Sequence, residues 1–241
     1  MKILAIDCTA SPASTAVVDD GKVLSSAYTN VGLTHSQTLM PMLQSTMKSA
    51  KLELDDIDIF AIDAGPGSFT GVRIGVAALK GLTLFSGERC LAVSTLESMA
   101  YNYAGVQDCV VCAAMDARRN QVYTACFEVK GDSITRLTPD SAVMLSELQE
   151  QLKAIDKNIV FVGDGAALCY NVIGKELKRC SIAPEQLRYQ NAVGTAACAA
   201  VHIKNGEQPI SSEQILPVYL RVPQAERELK KKQVGNTGRT Q

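Results

Sequence analysis

Two aspartates close strand-like apolar runs. Asp7 ends "KILAID" (2–7) and Asp116 ends "DCVVCAAMD" (108–116). A strand-end carboxylate can orient a hydrated Mg²⁺, and a hairpin turn just after it can hold phosphates if glycines let backbone N–H groups approach. Asp7 is followed instead by "CTASPAS", with no glycine before Gly21, and Pro12 removes one donor. The sequence therefore predicts no ATPase activity by the chain alone. It leaves only a vestigial, weak nucleotide cleft around Asp7, Gly65, Gly67 and Asp116.

The stretch "GPGSFTGVRIG" (65–75) holds four of the chain's 17 glycines. It is not a P-loop, because Gly-x-x-x-x-Gly-Lys-Ser/Thr is absent. Nor is it a dinucleotide fingerprint, because Gly67 and Gly71 are four apart. Gly65-Pro66-Gly67 reads as a tight strand-to-helix turn, and Ser68 as the helix N-cap. Metal chemistry finds little support. The only histidines are His35 and His202, and the position four after His35 is Leu39. Thr34 and Gln37 fit a capping box, which makes His35 an exposed first-turn residue. Cys109 and Cys112 are three apart in a strand-like run, so they point to opposite faces and read as buried thiols. No metal site is expected. With two histidines no nucleophilic triad can be assembled. Asp116, Arg118 and Arg119 read as a salt-bridged turn, with a substrate clamp as the second reading.

The elements that must place these residues repeat. The first series is the run at 2–7, two strands at 14–29 around Asp20-Gly21, a helix at 34–52, a strand at 56–64, and a helix after the glycines. The second is the run at 108–116, strands at 121–137 around Lys130-Gly131-Asp132, a helix at 144–154, a strand at 158–165 and a helix at 166–179. Two β-β-β-α-β-α halves predict an α/β fold of the actin-like (ASKHA, ribonuclease H-like) class. Residues 1–105 make the first half and 106–190 the second. A closing helix within 191–221 packs back on the first half, and 225–241 is a frayed tail. Its Lys230–Lys232 run reads as solvated.

The chain has 241 residues, 46% of them hydrophobic, with a net charge of −1. That supports a large core, and the balance lacks the basic face of a protein that binds nucleic acid unaided. The start reads as a first strand and no apolar run is long enough for a membrane span, so a cytoplasmic chain with eight reduced cysteines is expected. The helix from Phe69 to Gly87, including Phe85, is apolar on too many sides for a surface helix. The 34–52 helix shares that excess. Leu39, Met40, Leu43 and Met47, with Gly71, Arg73, Ile74, Gly75, Ala78 and Leu82, are the predicted partner interface. Gly71, Gly75 and Ala78 form a smooth stripe for a second subunit's helix.

"AIDAGPGSFTGVRIG", "THSQTLMP", "MDARRNQVY" and "PVYLR" together resemble the bacterial TsaB (YeaZ) family over residues 3 to about 221. The resemblance implies a degenerate paralogue of the TsaD (peptidase M22, glycoprotease-like) group. The metal-binding His-x-x-x-His of TsaD falls on His35 and Leu39 and is broken. It further implies a non-catalytic subunit of the machinery that makes N6-threonylcarbamoyladenosine at position 37 of ANN-decoding tRNAs. Such a subunit pairs with a TsaD-like catalytic subunit, is joined by a TsaE-like ATPase, meets tRNA only through the complex, and forms a homodimer when alone. A nucleotide at the partner interface remains an open alternative. So does a free-standing enzyme of the fold, either an M22-like metallopeptidase or a small-molecule kinase.

Overall fold

The computed structural model describes residues 1–84, 87 and 89–221. The expected frayed tail at 225–241, with Lys230–Lys232, and Phe85 lie outside the described residues. The first half runs Lys2–Asp7 (β1), Ala13–Asp19 (β2), Lys22–Thr29 (β3), His35–Ala50 (α1), Ile59–Asp63 (β4), Phe69–Leu82 (α2), Cys90–Val93 (β5) and Thr95–Tyr101 (α3). The second runs Cys109–Asp116 (β6), Gln121–Lys130 (β7), Ser133–Arg136 (β8), Ser141–Met144 (β9), Leu145–Lys153 (α4), Ile159–Val162 (β10), Ala166–Ile173 (α5), Cys180–Ile182 (β11) and Glu185–Arg188 (α6). Ala192–Lys204 (α7) follows. The β-β-β-α-β-α order is present twice in this actin-like α/β fold, with the short β9 added before α4 in the second half, and each half continues with one more strand and helix.

The sheets have the orders β3-β2-β1-β4-β5 and β11-β10-β6-β7-β8, with β9 pairing β7 beyond the end of β8. β1, β4 and β10 are apolar without alternation because both faces of each sheet are covered. The first sheet packs α1 and α2 on one face and α7 on the other. The second packs α4 and α5 on one face and α3 on the other. Cys109 and Cys112 fall in the two different cores of this sheet, as their spacing requires.

The helices α3 and α7 lie between the sheets and touch each other. Contact between them needs small residues. A methyl group on Gly194 would sit 2.5 Å from the Ser98 carbonyl oxygen. The closing helix, Ala192–Lys204, falls within the 191–221 span expected to contain it. Residues 205–221 then return along the first half as a strap with one 3-10 turn at Ser212–Gln214. Ile210 bridges Cys90 there, and the Val218 N–H donates to the Ala64 carbonyl at 2.7 Å. Pro209 and Pro217 stop a helix from continuing through this stretch.

Substituting Gly194→Val should force α3 and α7 apart and cost ~1–3 kcal/mol. It reads as a lower urea midpoint at unchanged slope, and an unchanged midpoint would show that the two helices are not in backbone contact.

Candidate functional site

The glycine stretch begins where β4 ends. Gly65 has φ +122°, a conformation that excludes a side chain, and precedes a cis peptide to Pro66. A Cβ there would lie 2.4 Å from the Val218 carbonyl oxygen. The turn delivers Ser68, whose hydroxyl accepts the Gly71 N–H at 3.3 Å, the N-cap expected from sequence.

What the glycines face is the chain's own β1–β2 turn. A Cβ on Gly67 would sit 2.3 Å from the Thr9 carbonyl oxygen, and one on Gly71 would sit 2.1 Å from that of Cys8. A Cβ on Gly75 would meet the Cys8 sulfur at 2.8 Å and Ile62 Cδ1 at 3.2 Å. The Ser68 N–H donates to the Thr9 carbonyl at 2.6 Å. This corrects the expectation that Gly71 and Gly75 present a stripe to another subunit. Both are buried, because the helix backbone must approach the strand-end turn beneath it. Leu39 and Leu43 are likewise core residues, at 1% and 2% exposure.

The remaining predicted interface residues are open to solvent to some degree. Met40 and Arg73 are exposed, and Met47, Ile74, Ala78 and Leu82 are half-buried. Together they leave a mixed outer face on α1 and α2, with apolar side chains partly open to solvent among polar ones such as Gln44 and Lys48. Sequence reasoning missed the strap that borders it. Tyr219 stacks on Phe69 with ring centroids 4.7 Å apart, and its hydroxyl accepts the Arg73 Nε–H at 2.7 Å. The "PVYLR" motif was the available signal.

His35 is not a free first-turn residue. Its ring is half-buried, and the Nε2–H donates to the Ala10 carbonyl at 2.7 Å. Thr34 precedes α1 as expected, but its side chain makes no cap bond. Its carbonyl takes the N–H groups of Gln37 and Thr38 instead, and the residue is exposed.

Beneath this seal Asp7 is fully buried, and its Oδ1 accepts both the N–H and the hydroxyl of Thr9. Asp63, unremarked in the sequence, ends the neighbouring parallel strand, one step past the Ile6–Ile62 pair. Its Oδ2 accepts the Ser98 and Thr195 hydroxyls at 2.9 and 3.0 Å. Asp7 Oδ2 and Asp63 Oδ1 have no other partner. One proton shared between them satisfies both. Burial pushes both carboxyls up, Asp7 to about 6 and Asp63, facing the Asp7 charge as well, further. The pair therefore holds a proton that two separate carboxyls in water would lose.

Asp116 stands differently. It is partly exposed, its Oδ1 accepts the Arg118 N–H at 2.7 Å, and its own N–H donates to Asp164. Arg118, Arg119 and Asn120 all have positive φ, so the β6–β7 turn is held by backbone bonds. The predicted ion pair is present but long, 3.7 Å to an Arg118 that is 87% exposed, and contributes little.

These residues do not fit a phosphate group. The β1–β2 turn is covered by Gly67, Ser68, Gly71 and His35, and no oxygen of Asp7 reaches solvent. A cavity of about 810 Å³ opens elsewhere, between β2, β3, α6 and the start of α7. Tyr28, Tyr101, Tyr189 and Glu185 line it, with no lysine or arginine to meet a phosphate.

The family model of TsaD, tRNA N6-adenosine threonylcarbamoyltransferase, matches residues 29–229. The chain is 30% identical over 232 residues to the tRNA threonylcarbamoyladenosine biosynthesis protein TsaB of Bacillus subtilis, across 94% of this chain and 96% of that one. It is 35% identical over 167 residues to TsaB of Escherichia coli, across 68% of this chain and 72% of that one. The solved structure of YeaZ from Pseudomonas aeruginosa aligns with TM-score 0.74 at 27% identity, over 91% of this chain and 99% of that one. The ethanolamine utilization protein EutJ from Carboxydothermus hydrogenoformans, 11% identical with TM-score 0.52 over 82% of this chain and 89% of that one, shares the fold alone.

Two measurements test the seal. Gly71→Ala should destabilise by ~1–3 kcal/mol through its clash with the Cys8 carbonyl. Gly81→Ala, in the same helix but with nothing within 4 Å, should stabilise by up to ~1 kcal/mol. Equal effects would place both glycines outward.

The carboxyl pair makes a pH prediction. Asp63 binds a proton in the folded chain that it loses when unfolded above its ordinary value of 3.8. Folding then takes up a proton at Asp63, in addition to any taken up by Asp7 below about pH 6, and the Asp63 proton alone lowers stability as pH rises from that value, by up to ~1.4 kcal/mol per unit. Asp63→Asn keeps every hydrogen bond, with its amide donating to Asp7. It should gain stability over the native chain progressively from pH 5 to pH 8, followed by thermal unfolding. A constant offset across that range would refute the shared proton.

Proposed function

The chain belongs to the TsaB family of tRNA threonylcarbamoyladenosine biosynthesis proteins, and we propose that within that pathway it is a non-catalytic subunit. In this reading it docks on a TsaD-like catalytic subunit through the outer face of α1 and α2, and a TsaE-like ATPase joins the pair. The modified base is adenosine 37 of ANN-decoding tRNAs, and tRNA is met only through the complex. Alone, the chain forms a homodimer through the same face. It holds no nucleotide strongly by itself.

The observation that carries this reading is the sealed first-half turn. A nucleotide-transferring site needs free backbone donors and a solvent-facing carboxylate at a strand end. Here the donors are covered by the glycine helix, and the Asp7 carboxylate faces another buried carboxyl. The docking face is supported by the half-buried Met47, Ile74, Ala78 and Leu82 beside exposed Met40, apolar side chains left partly open on helices whose inner faces are already packed. Methionines suit a surface that meets two different partners, because the side chain adapts its shape.

The test is reconstitution. The purified chain should neither turn over ATP nor modify tRNA, and modification should appear when the TsaD-like and TsaE-like proteins and threonylcarbamoyl-AMP are added. Ala78→Glu is the clean interface variant, since Gly75→Arg would strike Cys8 and unfold the monomer. It should abolish both the homodimer by light scattering and restoration of tRNA modification, with circular dichroism unchanged. Modified adenosine from the single chain, or normal assembly by Ala78→Glu, would overturn the proposal.

A further inference from the structure

A helical pair outside the sealed turn has ligand spacing. Cys198 and His202 stand at i and i+4 on α7, so both project from one side of the helix. Glu97 of α3 faces them, its Oε1 3.0 Å from His202 Nε2. The Cys198 sulfur, His202 Nε2 or Nδ1, and a Glu97 oxygen all lie within 4.8 Å of one another. We propose that Cys198, His202 and Glu97 form a binding site for a thiophilic divalent cation, zinc by its donor set, at the seam between the two halves.

Four features carry the assignment. The first is the donor set itself. One thiolate, one imidazole and one carboxylate are the side chains zinc takes, at about 2.3, 2.0 and 2.1 Å, which places donors roughly 3.3–3.7 Å apart in a tetrahedron. The 3.0 Å Nε2–Oε1 separation opens to that value with a small shift. The second is the outer shell. His202 Nδ1 lies 2.7 Å from Glu207 Oε2, leaving Nε2 as the metal-facing nitrogen in the carboxylate–histidine–metal pattern. Arg136 Nη2 donates to Glu97 Oε2, at 2.5 Å, and holds the other oxygen toward the site.

The third feature is charge. Glu97, Glu207 and Asp140 surround the cluster, and Arg136 is the cation paired with two of them. That leaves an excess of negative charge which a bound cation, or a proton on His202, must balance. On binding, zinc takes the place of the Nε2 proton where His202 is charged and of the Cys198 thiol proton, and both go to solvent. With thiolate, carboxylate and neutral imidazole bound, a divalent ion is neutralised. The fourth is access. The side chains of Glu97 and His202 are 16% and 24% exposed, so water can reach the fourth position, while Cys198 is buried. The histidines of the sequence gave no metal pair because the partner of His202 is a cysteine four residues earlier.

The site would tie α7 to α3, and through Arg136 to the second sheet, independently of the docking role above. The experiment uses the full untagged chain, stripped with a chelator. Zinc is titrated against a chromophoric chelator, and Co²⁺ is added separately as a spectroscopic probe. The expected result is one tight equivalent of zinc and a cobalt spectrum with a thiolate charge-transfer band and tetrahedral visible bands. His202→Gln and Cys198→Ala should each remove the equivalent, and Glu207→Gln should weaken it ~10-fold or more. Cys112→Ala, a buried thiol in the other sheet's core, should leave it unchanged. If Cys198→Ala does not fold, His202→Gln and the wild-type cobalt spectrum decide. Absence of a tight equivalent, a cobalt spectrum without a thiolate band, or binding that survives His202→Gln overturns the proposal.

Discussion

The α-carbons of Gly67 and Gly71 rest on the carbonyl oxygens of Thr9 and Cys8, and most of the first half is arranged around that contact. It brings a helix backbone onto the turn that leaves the central strand, closer than any side chain would permit. The Ser68 N–H and the His35 ring then bond to the Thr9 and Ala10 carbonyls, so α1, α2 and the turn form one unit. The outer faces of α1 and α2 remain, where exposed Met40 and half-buried Met47, Ile74, Ala78 and Leu82 lie among polar residues such as Gln44, Lys48 and Arg73.

Sealing the turn has an electrostatic consequence. Asp7 and Asp63 end adjacent parallel strands, and the covering helix cuts both off from water. Two charges cannot coexist there, so the pair keeps one proton and the hydroxyls of Thr9, Ser98 and Thr195 satisfy the remaining oxygens. Thr195 lies on α7 and Ser98 on α3. The buried carboxyls therefore also fix the two helices that separate the sheets.

The two halves share an order of elements but not a chemistry. The β6–β7 turn of the second half is open, left-handed over Arg118–Asn120, with Asp116 partly exposed. The first-half turn is closed. The closed turn puts the Asp7 carboxylate out of reach of solvent, while the open one leaves Asp116 partly exposed.

Much of this was written in the sequence. The repeated order of apolar runs, turns and amphipathic stretches determined both sheets, because strand period and turn residues are local signals. Ser68 as a cap and the opposed Cys109 and Cys112 followed from spacing alone. The missing glycine after Asp7 was equally legible. The short elements β5, α3, β9, β11 and α6 were not, since a few residues carry too little periodicity to stand out. Nor could the chain say which way Gly71 and Gly75 face. A glycine needed for intrachain contact and one needed for a partner look alike until the backbone beneath is known. Asp63, Ser98 and Thr195, like Glu97, Cys198 and His202, are scattered along the chain and have no local pattern. Only the packing of α3 against α7 between the sheets brings them together, because long-range proximity is a property of the fold.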